Sequence, residues 1–62
     1  MSRADRALVC RVVDAIDAAK QRGDKHFQVE RPDGLTLSDA DFEIAVVVEM
    51  QRRGKVSRVY SQ

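Results

Sequence analysis

The chain has 62 residues, of which 44% are hydrophobic and 34% charged, with a formal net charge of +1, one cysteine and one histidine. That balance belongs to a globular protein, not a disordered one. It excludes an intrachain disulfide and leaves too few His and Cys ligands for a zinc site within one chain.

The longest apolar run, 44–48, is far shorter than a membrane span. The start, Met1 to Arg6, lacks the apolar stretch of a secretory signal. With the unpaired Cys10, it points to a reducing, cytoplasmic setting. Residues 1–62 read as one domain. A domain this small buries only about 60% of the surface that its unfolded chain exposes. Without a disulfide or a metal, oligomerisation is the stabilising device that remains, and a homodimer is expected.

The first segment predicts a helix over 3–22. Ser2 supplies an N-cap, and Asp5, three residues on, completes a capping box. Leu8, Val9, Val12, Val13, Ile16 and Ala19 recur at helical spacing as a core-facing stripe, with Arg3, Arg6, Asp14, Asp17 and Gln21 opposite. Gly23 supplies a left-handed stop, and Lys20 and Arg22 complement the dipole.

A β-hairpin is predicted over 26–37. Phe27 and Val29 alternate with polar neighbours, as do Leu35 and Leu37, around the turn residues Pro32-Asp33-Gly34. Two readings compete for 38–54. Ser38 with Asp41 repeats the capping box, and Gly54 after Arg52-Arg53 repeats the glycine stop, which favours a helix over 39–53. The alternation of Phe42, Ile44, Val46, Val48 and Met50 and the many β-branched residues favour a strand. The tail 55–60 reads as a strand in both cases. The expected fold is therefore α+β, ordered α-β-β-α-β with a mainly antiparallel sheet; the alternative is one helix on a four-stranded meander.

The small net charge conceals a split. Residues 33–49 carry five acids and no base, whereas 51–62 carry Arg52, Arg53, Lys55 and Arg58 and no acid. Opposed patches of this kind suit contacts with a charged partner or a second copy. As a helix, 39–53 has apolar residues on two sides: Phe42, Val46 and Met50 on one, Ile44 and Val48 on the other. A small sheet covers one side, so Ile44 and Val48 are candidate dimer-interface residues.

Catalytic chemistry finds no support in the spacing. Ser38, His26 and Asp41, or Cys10 and His26, form no recognisable nucleophilic set, and no nucleophile elbow is present. Asp33, Asp39, Asp41 and Glu43 lack the pattern of a calcium loop, and Gly23, Gly34 and Gly54 are isolated turn residues, not a phosphate cradle. No metal and no cofactor is expected. The preferred reading is a non-enzymatic small binding protein, a regulator or inhibitor acting through protein–protein contacts. The alternative is a nucleic-acid-binding regulator using Arg52, Arg53, Lys55 and Arg58.

One resemblance bears on a third class. Gly23-Asp24-Lys25-His26-Phe27, followed by Pro32-Asp33-Gly34-Leu35-Thr36-Leu37, resembles the start of the HicA toxin family. These are small mRNA-cleaving proteins of double-stranded-RNA-binding type. The resemblance implies a helix, a first strand bearing a catalytic histidine, here His26, and a Pro-Asp-Gly hairpin. Gly-Asp-Lys-His stands here where the family has Gly-Ser-His.

Overall fold

A computed structural model describes the backbone of residues 1–61 and the side chains through Gly54. It contains two helices, α1 (Arg3–Arg22) and α2 (Asp39–Ser61), joined by an irregular connector, and no strand among the described residues. The α+β expectation, in both its forms, is therefore incorrect: the architecture is helix, connector, helix.

Helix α1 begins and ends where its sequence dictates. The Asp5 N–H donates to the Ser2 hydroxyl at 3.1 Å. At the other end Gly23 has φ 74°, the left-handed conformation that costs glycine little. Its N–H donates to the Lys20 carbonyl, and the Asp24 N–H to the Ala19 carbonyl, the paired bonds of a Schellman stop. The buried stripe is narrower than predicted. Val9, Val13, Ile16 and Ala19 are buried, while Leu8 and Val12 are half-buried.

Contacts between the helices fix their relative direction. Thr36, just ahead of α2, bonds to Asp5 at the start of α1, and Arg53, well along α2, bonds to Asp14 and Asp17. The helices thus run in the same general sense, and the connector must return along the roughly 30 Å length of α1. Fifteen residues, 24–38, reach that far with ease at about 3.3 Å each. Aligned helices place two positive dipole ends together, and Asp5, Asp39 and Asp41 lie in the two first turns, where negative charge offsets them.

The core is small: Val9, Val13 and Ile16 of α1 against Phe42 and Val46 of α2. Val12, Leu35, Leu37, Ala45 and Met50 pack around it.

The predicted hairpin is absent for a physical reason. Two strands alone are marginal in water, and no third strand occurs among the described residues to hold them. The turn itself survives, with Gly34 at φ 87°. Phe27 and Val29 are exposed, whereas Leu35 and Leu37 lean on the core. Arg31 organises this stretch by donating to the Leu35 and Leu37 carbonyls and pairing with Asp39 at 2.9 Å.

Of the two readings of 38–54, the helix is correct but too short. The Asp41 N–H donates to the Ser38 hydroxyl at 3.2 Å, as the cap predicts. Gly54 does not stop α2, which continues to Ser61, so the tail 55–60 is helical and not a strand. Glycine inside a helix costs about 1 kcal/mol and forces no termination. Among the described residues there is no sheet for a tail strand to join.

Candidate protein-interaction surface

Helix α2 is built with two working sides. At about 100° per residue, Val46, Glu49, Met50 and Arg53 fall within about 80° of Phe42, and this side meets α1 and the core. Ile44, Val47 and Val48 fall about 140–240° away, on the opposite side. They are 61%, 47% and 57% exposed, against 8% for Phe42 and 7% for Val46. Three β-branched apolar side chains within five residues thus face outward on a regular helix. Val47 was not among the interface residues proposed from sequence, though its distance from Phe42 and Val46 on the wheel was the available signal.

The inner side ends in a charged cluster. Glu49, nearly buried, accepts from Arg52 Nε and Nη2 at 3.0 and 2.9 Å and from Arg53 Nε at 2.8 Å. Arg53 Nη1 also donates to Asp14 at 2.8 Å and Asp17 at 2.9 Å. The Arg53 bond, with Arg52 beside it, holds the Glu49 carboxyl below the usual carboxylate range against the opposing effect of burial. The three carboxylates, Glu49 first, raise the Arg53 guanidinium further above its already high value.

This changes the meaning of the basic residues. Arg53 is an internal bridge between the helices, with 30% of its side chain exposed. Arg52 leans on Glu49 but keeps 63% of its side chain exposed. The side chains of Lys55 and Arg58 lie outside the described residues. The described part of the basic group therefore does not form a row of arginines aimed at solvent.

At the opposite end, Asp5 is 2% exposed. Its carboxylate does not turn back to the cap as a capping box requires. It accepts instead from the Thr36 N–H at 2.9 Å and from the Thr36 hydroxyl. These bonds, the hydroxyl first, pull the Asp5 carboxyl below its ordinary value. Sequence reasoning missed this clamp because its partners are thirty-one residues apart.

His26 lies in the connector, its N–H donating to Asp24 Oδ1 at 2.9 Å. It is not on a strand, so the fold implied by the HicA resemblance is not found here. An open cleft of about 800 Å³ separates α1 from this part of the connector, with Leu8, Val12, Phe27 and Val29 among its walls. Cys10 is a half-buried thiol on α1. Among the described residues no group of three or more His, Cys, Asp or Glu side chains is placed to hold a metal ion. Nor is any helix among them long and apolar enough to cross a membrane. No family model, curated protein or solved structure matches the chain.

Proposed function

We propose that the chain is a non-enzymatic binding protein of the cytoplasm, a regulator or inhibitor that acts by laying the outer side of α2 against a protein partner. The observation that carries this reading is the exposure of Ile44, Val47 and Val48 on a helix whose other side already fills the core. An amphipathic helix that offers a second apolar side matches the helix-in-groove mode of recognition, in which residues at i, i+3 and i+4 anchor. Truly exposed apolar patches are uncommon on monomers and mark interaction sites.

The nucleic-acid reading draws on Arg52, Arg53, Lys55 and Arg58. It is weakened by the commitment of Arg53 to three carboxylates, because a phosphate would have to displace them. The ribonuclease reading rests on His26 and on the strand that the resemblance implies for it, and no strand occurs among the described residues.

Capture from host lysate separates these classes. The wild-type chain and Ile44→Glu are used as bait, each with and without nuclease. A protein retained through nuclease treatment and lost with Ile44→Glu supports the outer-side reading. Capture that disappears with nuclease and ignores Ile44→Glu contradicts it.

A further inference from the structure

The pattern of charges around the outer side of α2 names its occupant. Asp41 and Arg52 both lie on the Val48 flank of that side, about 20° apart around the helix and so close to one line along it. They sit almost equally far from Val47, one before it and one after. Asp41 is exposed, and so is most of the Arg52 side chain. A surface that carries an acid and a base on one flank, on either side of an apolar centre, is complementary to itself under a twofold axis.

We propose that the outer side of α2 packs against the same side of a second copy, antiparallel, about a twofold axis close to Val47. In a twofold antiparallel pair each flank meets the same flank of the other copy. One register then satisfies three contacts together. Val47 meets Val47 of the partner subunit, Ile44 meets Val48 of the partner subunit, and Asp41 meets Arg52 of the partner subunit. Each unlike contact occurs twice. Glu43, on the other flank, falls opposite the half-buried Met50 and meets no acid. A parallel pair would instead turn this flank toward the other flank of the second copy, setting Asp41 near Glu43 of the partner subunit, and like charges brought together disfavour an arrangement. Burial of Ile44, Val47 and Val48 drives association, and the charges set its direction. The inference rests on the outer-side reading of function and adds to it the identity of the partner.

Sedimentation equilibrium of the full chain, from about 10 to about 500 µM, tests it over the range where such a small interface operates. The wild type should dimerise. Asp41→Arg and Arg52→Glu should each weaken the dimer by about tenfold or more, since each creates two like-charge contacts. An equimolar mixture of the two variants should regain wild-type affinity, because every cross-contact in the mixed pair is again unlike. If Arg52→Glu loses helicity through its contact with Glu49, Asp41→Arg decides alone, because parallel pairing would leave it no weaker than the wild type. A wild type that stays monomeric throughout, a variant that pairs as well as the wild type, or a mixture no tighter than its components overturns the proposal. With a monomeric wild type, loss of lysate capture by Ile44→Glu would still sustain the outer-side reading, and unchanged capture would remove both.

Discussion

The Arg53 guanidinium lies 2.9 Å from the Asp17 carboxylate, joining the second half of α2 to the last turns of α1. Asp14 and Glu49 complete its surroundings. At the other end of the helix pair, Asp5 holds Thr36. Between these polar clamps sit Val9, Val13, Ile16, Phe42 and Val46, the buried apolar cluster of the described residues. A core of five side chains is small, and the clamps fix the register at which it packs.

Replacing Arg53 with Ala should leave Asp14, Asp17 and Glu49 close together, with Arg52 as the remaining cation on Glu49. Thermal unfolding should show a lower midpoint than for the wild type, and a larger fall than for Arg52→Ala. Exposed pairs contribute little, whereas loss of the counter-ion to a nearly buried carboxylate is costly. An Arg53→Ala midpoint equal to that of Arg52→Ala would show that the bridge carries no structural role.

Gly54 gives an opposite prediction. It has no positive φ, lies within α2, and a methyl group built on it meets nothing within 4 Å. Gly54→Ala should therefore stabilise the protein by about 0.5–1 kcal/mol. In a domain of this size that is a rise in midpoint of about 2–8 °C. A fall in midpoint would place Gly54 in a turn and return α2 to the shorter helix.

How far the sequence could be read depended on where each signal resides. Helix α1 was legible because Ser2, the 3.6-residue stripe and Gly23 are local and agree. The connector was misread because the alternation around Phe27 and Leu35 is also local, while the deciding fact is not: among the described residues no further strand is there for a hairpin to join. In α2, Gly54 looked like Gly23, but the bonds that make Gly23 a stop come from backbone geometry, which residue type does not force. The candidate surface was partly legible, since the wheel separates Ile44 and Val48 from Phe42. The role of Arg53 was not, because Asp14 and Asp17 are more than thirty residues away in sequence.

Acid should loosen the Asp5–Thr36 clamp in a defined direction. The folded-state value of Asp5 lies below its ordinary 3.8, so the unfolded chain takes up a proton first as pH falls. The stability that this group contributes is fully present above the ordinary value and is lost as pH drops through the lower folded value. Glu49, lowered from 4.5, acts in the same sense. Asp5→Asn should lower the midpoint at pH 7 and flatten the decline below about pH 4. Equal acid sensitivity in both proteins would assign the decline elsewhere.

The two sides of α2 should respond differently to truncation. Phe42→Ala removes the largest side chain of the core and should cost about 3–5 kcal/mol, much of the stability that 62 residues supply. Ile44→Ala, on the outer side, should change unfolding of the monomer by no more than about 0.5 kcal/mol. Urea titration at low protein concentration checks both. Similar losses for the two would mean that both sides of α2 are packed within one chain.

The most direct test of the account is to find which amides sense association. Backbone amide resonances of the isotope-labelled chain, followed from dilute to concentrated solution by two-dimensional NMR, report this residue by residue. Shifts should concentrate at Ile44, Val47, Val48 and their outward neighbours Ala40, Asp41, Gln51 and Arg52, while Val9, Val13 and Ile16 stay unchanged. Shifts confined to the connector cleft around Phe27 and Val29, or no shift anywhere on α2, would contradict the assignment of its outer side as the binding surface.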